Sequence, residues 1–202
     1  MKKKILMACL CVALAVLTIA GTTLAYLTST AKVDNTFTVG NVAITMDETD
    51  VDLLGVPEKD KEGNLLDRVN ENDYKLMPGH TYVKDPTVHV AANSEKCYVF
   101  VKVENGIAAL EANGNKIADQ ITANGWTAIA DGSNVYYKAY TQSPAAADLV
   151  VFKNFKIADE ANNVNGWKNI SAETTKVTVT AYAVQKDGFD TAKAAWDATF
   201  GK

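Results

Sequence analysis

The apolar positions of this chain fall into two regimes. From Ile5 to Ala20 they run without a charged or strongly polar side chain, and from Asn35 onward they alternate with polar residues. Alternation at period two is the spacing of a strand with one buried face. The first such strand places Phe37 and Val39 on one phase and Val42, Ile44 and Met46 on the other, with a slip at Gly40-Asn41. A one-residue slip at a glycine predicts a bulge or tight bend that keeps both halves facing the same way. Thr87 to Ala92 alternates with Val88 and Val90 inward, and Cys97 to Glu104 alternates with Cys97, Val99, Val101 and Val103 on one face. The polar Asn93-Ser94-Glu95-Lys96 between them has hairpin length, so these two runs are expected to be antiparallel neighbours.

Further strands are predicted at Trp126 to Ala130, Val135 to Thr141 and Leu149 to Ile157, broken by Asp131-Gly132-Ser133-Asn134 and Ser143-Pro144. The last, Lys176 to Lys186, puts Val177, Val179, Ala181 and Ala183 on one face and Thr178, Thr180 and Tyr182 on the other. Met77-Pro78-Gly79-His80 reads as a type II turn, because Pro presets φ at its second position and Gly supplies the positive φ of the third. Asp47 to Asp73 is dense in charge and turn residues and reads as a long surface excursion with Leu53-Leu54 and Leu65-Leu66 as its apolar anchors. The alanine-rich Ile107 to Ile121, interrupted at Asn113-Gly114-Asn115, predicts a short helix or an irregular connection. Asp190 to Thr199 predicts an amphipathic helix with Asp190 as N-cap, set at one end of the sheets. The sum is an all-β fold: a two-sheet antiparallel jelly-roll-like sandwich with one or two short helices, preceded by a cleavable signal peptide. The immunoglobulin pattern of paired cysteines around a core tryptophan is missing from the sequence.

The leader follows from Met1-Lys2-Lys3-Lys4 and the apolar run behind it, which is secretory grammar. Thr23 and Ala25 supply small residues at the −3 and −1 positions, so cleavage is expected before Tyr26, with Thr18-Ile19-Ala20 as a competing site. The alternative is an uncleaved anchor, since the uncharged stretch reaches Ala31 and a bilayer core is about 30 Å thick. Gly21, the threonines and Ser29 dilute its later part and favour cleavage. Residues 1–25 are therefore read as signal peptide and 26–202 as a single jelly-roll-like domain.

Charge and cysteine count narrow the function. The formal net charge of −4 becomes −7 once the three leader lysines are gone. An acidic chain without a basic cluster argues against nucleic acid, and against the membrane except through the uncleaved leader. Of three cysteines only Cys97 survives cleavage, so no internal disulfide is available and Cys97 is read as a packed core thiol. The two histidines, His80 and His89, are too few for a zinc-hydrolase site and are read as exposed polar residues. Asp47, Asp50 and Asp52 lack the spacing of a helix-loop-helix calcium loop. No nucleophile elbow or phosphate-binding loop is present. Tyr136, Tyr137 and Tyr140 near Trp126 are read as packing pairs before a carbohydrate platform. No catalytic, cofactor or metal residue is assigned, and no enzymatic activity is expected.

The stretch Gly21 to Glu48, GTTLAYLTSTAKVDNTFTVGNVAITMDE, resembles the leader junction of the TasA and camelysin family of secreted Gram-positive proteins. The matching features are Gly21-Thr22, Ala25-Tyr26 with Leu27-Thr28, then Asn35, Phe37-Thr38, Gly40 and Val42-x-Ile44. Later pieces are also similar: Met77-Pro78-Gly79, Lys84-x-Pro86-x-Val88-x-Val90, and Val179 to Gln185 leading into Gly188-Phe189 and Ala195-Trp196. Ser29 stands where the family often has an acid. The resemblance implies a leader cut by a dedicated endoplasmic-reticulum-type (SipW-type) signal peptidase, a jelly-roll domain, and export to the cell surface or extracellular matrix. For the best-known members it implies biofilm fibres in which the N-terminal segment of one subunit completes the sheet of the next.

The expectation drawn from these readings is a secreted structural protein of the matrix or cell surface, self-associating into filaments or joining a related matrix subunit. Residues 26–46 are the candidate donor strand, with Phe37, Val39, Val42 and Ile44 as the inserted side chains. Two alternatives stand beside it: a monomeric surface binding domain with the same strand folded back into its own sheet, and a camelysin-like metalloprotease.

Overall fold

The computed structural model describes residues 41–159 and 175–201. Its strands are β1 (Ile44–Asp47), β2 (Thr81–Val83), β3 (Thr87–Val90), β4 (Cys97–Asn105), β5 (Thr127–Ala128), β6 (Val135–Tyr140), β7 (Ala147–Val150), β8 (Asn154–Lys156) and β9 (Val177–Gln185), with helices α1 (Ile117–Ala123) and α2 (Ala192–Thr199). A three-stranded sheet has the order β1-β3-β7, a four-stranded sheet has the order β5-β6-β4-β9, and β2 pairs β8. Every pairing is antiparallel. The β2–β8 ladder (Thr81 opposite Lys156) keeps the register of β3–β7 (Thr87 opposite Val150), so the two ladders form one ribbon broken at Pro86. Proline has no N–H to give the ladder, although its carbonyl still accepts from Val151 N at 2.9 Å.

The alternation predicts the buried faces well. Val88 and Val90 of β3 and Cys97, Val99, Val101 and Val103 of β4 are all buried in the core between the sheets, with Tyr82, Phe152, Phe155 and Ile157. The expected pairing of β3 with β4 does not occur. They lie in different sheets, so the intervening loop is an arch across the core instead of a hairpin. Asn93 takes φ of 60° and Ser94 is buried there. Both strands turn their valines toward the same core, and β4 finds longer partners, pairing through all nine residues with β9 and six with β6. The predicted strand from Leu149 to Ile157 is two strands, β7 and β8, separated at the Pro86 break.

The four-stranded sheet is covered on both faces. Val177, Val179 and Ala181 of β9 face the core, while Tyr182 and Val184 join Tyr98 and Phe100 against α2. The helix lays Ala192, Ala195, Trp196 and Phe200 on the outer face of this sheet, not at its end as the sequence suggested. Its cap is Thr191, whose Oγ1 accepts from Ala194 N at 3.1 Å, in place of Asp190. The tyrosine run packs as expected: Tyr140 is buried, Tyr136 packs on the core and Tyr137 on the outer cluster. Trp126 is buried with its Nε1 donating to Val150 O at 2.8 Å.

The excursion is more ordered than its composition suggests. Glu48 and Val69 exchange backbone hydrogen bonds, and Val51–Pro57 and Lys59–Leu65 form isolated bridges. Its leucines are not its anchors: Leu53, Leu54, Leu65 and Leu66 are exposed. It is held by the buried Val51 together with polar and backbone contact, with Lys75 N donating to Leu53 O, Val83 N to Gly55 O, and His80 Nε2 within 2.8 Å of Leu54 O. The type II turn forms as read, with Gly79 at φ of 72° and His80 N donating to Met77 O.

Candidate functional site

Val42 and Ile44, two of the candidate donor residues, are partly buried against the chain's own core, and β1 pairs β3 with Ile44 opposite Val90 and Asp47 opposite Thr87. Phe37 and Val39, and Thr23, Ala25 and Tyr26 at the cleavage site expected from sequence, lie outside the described residues, as does the predicted bulge position Gly40. β1 and β9 are end strands of the two main sheets, and among the described residues no strand pairs with the outer edge of either. An unpaired strand edge is a row of free N–H and C=O groups that can template another chain.

On this flank lies a cavity of about 490 Å³ lined by Met46, Tyr74, Leu76, Ile107, Phe155, Val177 and Val179 on its apolar side and by Glu48, Asn72 and Lys84 on its polar side. The polar groups are mutually satisfied. Lys84 Nζ meets Glu48 Oε2 at 2.6 Å with both side chains nearly buried. Asn72 Nδ2 donates to Glu48 Oε1 and to Thr49 O, both at 2.9 Å, and Asn72 Oδ1 accepts from Val51 N. Tyr74 donates its hydroxyl to Val83 O at 3.0 Å and lies under Lys84, and burial raises its phenol, reinforced by the Glu48 and Asp85 charges. The sequence hides this pair, because Glu48 and Lys84 are brought together only by the antiparallel pairing of β1 with β3, whose ladder they flank.

A second cluster occupies the solvent face of the three-stranded sheet. His89 on β3 sits between two carboxylates, Nδ1 at 2.7 Å from Asp148 Oδ1 on β7 and Nε2 at 2.9 Å from Asp47 Oδ1 on β1. Arg68 from the excursion donates Nε to Asp47, and its other nitrogens reach Asp85 Oδ2 at 2.9 Å, Asp85 O and Thr87 Oγ1. Neither histidine is the freely exposed residue expected from sequence; both are half-buried and engaged. Cys97 is buried as expected, and burial pushes its thiol up to about 11.

The described residues do not make a metal centre. No group of three or more His, Cys, Asp or Glu among them converges on a common point. In the His89 cluster the reason is geometric, since the two ring nitrogens face opposite ways and carry Asp47 and Asp148 to opposite sides of the imidazole. Of the calcium candidates, Asp47 is engaged by Arg68 and His89, and Asp52 Oδ1 accepts from Leu54 N and Val56 N in its own turn. No helix among the described residues is long and apolar enough to cross a membrane.

Fold and site together define an antiparallel β-sandwich in which the first strand among the described residues, β1, lies at a sheet edge. Within that class, residues 1–60 match the model of a family described as camelysin metallo-endopeptidase. The matched stretch takes in the apolar N-terminal run, Gly21 to Glu48 with β1, and the start of the excursion, so the resemblance to the TasA and camelysin family holds over its most specific part. No curated protein matches the chain, and no solved structure does.

Proposed function

We propose that this chain is a secreted structural protein of the matrix or cell surface that assembles head to tail, each copy lending residues 26–46 to the next. The observation that carries the reading is the placement of β1. It is a four-residue edge strand held on β3 alone within its sheet, with Ile44 and Met46, and Val42 just before it, packed on the core. Exchanging it for the β1 of another copy preserves the same pairs and the same buried side chains, so that part of the exchange is close to neutral in free energy. Additional burial by Phe37 and Val39, at about 1.5–3 kcal/mol each, would favour the exchanged form before the ordering cost of the preceding segment. A head-to-tail exchange is heterologous and leads to an open filament. The family match over the junction supports export and a surface or matrix location.

The test uses the Cys97→Ser protein beginning at Tyr26 with Ile44→Cys and Val90→Cys added. Directly opposed residues of an antiparallel pair lie within disulfide range. Exchange predicts filaments by electron microscopy whose chains run as a covalent ladder after oxidation. Filaments that dissolve into internally linked single chains, no filaments, or equal filaments from protein beginning after Met46 would each overturn it.

The family's description is the one observation favouring a peptidase. That reading requires donors beyond those described, and a chelator-sensitive proteolytic activity with stoichiometric zinc in the purified protein is its test.

A further inference from the structure

The His89 cluster joins all three strands of its sheet at one point. Asp148 is the residue directly opposite His89 in the β3–β7 ladder, and Asp47 lies diagonally across the β1–β3 ladder, where Thr45 is the residue opposite. Both positions are within side-chain reach in an antiparallel sheet. An imidazolium has two N–H donors and a neutral imidazole has one, so the two carboxylates can both be served only by the charged ring.

We propose that His89 is a proton-operated clasp: charged, it ties both edge strands β1 and β7 to β3, and on losing its proton it keeps Asp47 and releases Asp148. The choice of the released partner follows from the surroundings. Asp47 has a quarter of its side chain exposed and is fixed by Arg68, which is itself held by Asp85 and Thr87. The Asp148 side chain is 70% exposed and has water to turn into. A neutral ring therefore keeps its remaining proton on Nε2, toward Asp47, and its bare Nδ1 repels the mobile carboxylate of Asp148. The β7 edge of the sheet loosens while the β1 edge stays pinned by Arg68. The charged groups facing His89 are Asp47 from β1 and Asp148 from β7, with Arg68 and Asp85 behind Asp47.

The direction of titration agrees with this geometry. Hydrogen bonds to Asp47 and then Asp148 raise the His89 imidazole above its ordinary 6.5, against a smaller opposing effect of burial. A group raised in the folded state lends stability that is complete below its unfolded value and lost as pH rises through the folded one. The clasp is thus closed in mildly acidic solution and opens on the alkaline side of 6.5. The inference concerns β7 and stands whether or not β1 is exchanged between copies.

Ring ¹H–¹⁵N correlation spectra of the protein beginning at Tyr26, with the His80 signal assigned through His80→Asn, give midpoint and tautomer together. The expected result is a His89 midpoint above 6.5, an Nε2–H tautomer beyond it, and a lower midpoint in Asp148→Asn. Amide exchange at Asp148 to Val150, corrected for intrinsic pH dependence, should rise about two- to fivefold across that midpoint and lose the step in His89→Gln. A midpoint at or below 6.5, an Nδ1–H tautomer, or the same exchange step in His89→Gln would overturn the clasp. Because Asp148→Asn changes an exposed side chain, its midpoint remains decisive even if His89→Gln fails to fold.

Discussion

Gly55 passes so close over Tyr82 that a β-carbon on it would lie 2.7 Å from the Tyr82 Cα. Gly55 also holds φ of 74°, which L side chains rarely adopt, and its carbonyl accepts from Val83 N. This contact seats the excursion on the fully buried Tyr82, which stacks on Phe155 with ring centroids 4.9 Å apart. Gly55→Ala should therefore cost about 1–3 kcal/mol through strain and clash. Denaturant midpoints measure it, and Gly63→Ala is the control, since its φ is also positive but open space surrounds it. Equal losses in the two variants would show that backbone strain alone, without the Tyr82 contact, accounts for the effect.

Lys84→Met should be among the most destabilising substitutions outside the apolar core. It leaves the Glu48 carboxylate buried with Asn72 as its remaining side-chain partner, and removing one member of a buried pair costs about 3–5 kcal/mol. Adding Glu48→Gln should recover much of the loss, because the uncompensated charge goes and an acceptor for Asn72 remains. Urea unfolding of the single and double variants, read as a double-mutant cycle, gives the coupling.

Alternation alone located most of this fold. Val88, Val90, Cys97, Val99, Val101 and Val103 all face the core as their period-two spacing required, and Pro78-Gly79 turns the chain as its chemistry required. What alternation cannot carry is the identity of a strand's neighbour. Residues 93–96 have hairpin length, yet an αL residue at Asn93 and the buried Ser94 send the chain across the core, because the pairing energy lies in β9 and β6 far along the sequence. The polar site was hidden for the same reason. His89 and Asp148 become opposite residues only once the β3–β7 register is known, and Glu48 meets Lys84 only once β1 is placed. The excursion's leucines misled because apolarity implies burial only where a partner surface exists.

The capping of α2 separates two adjacent residues. Thr191→Ala removes the hydroxyl that accepts from Ala194 N and should cost about 1 kcal/mol. Asp190 is exposed, one position too early to cap, and Asp190→Ala should change stability by no more than about 0.5 kcal/mol. Thermal unfolding of the two variants side by side decides the assignment, and the reverse order would restore Asp190 as the cap.

Glu111 carries a pH dependence of opposite sense to that of a paired surface carboxylate. Its Oε1 accepts from Ile117 N at 2.9 Å, capping α1 from outside the helix, and its residue is 9% exposed. Burial raises this carboxyl above its ordinary 4.5, outweighing the hydrogen bonds from Ile117 and Asn105 that favour the charge. A raised folded value means the protonated form is preferred on folding, so the wild-type protein loses stability as pH climbs from 4.5 through the raised value. Glu111→Gln keeps an acceptor for Ile117 N and cannot ionise. Its melting temperature should exceed that of the wild type at neutral pH, by a few degrees for about 1 kcal/mol, and the two should converge as pH falls below 4.5. A variant less stable than wild type at neutral pH would mean that the charge on the cap is worth more than the burial it suffers.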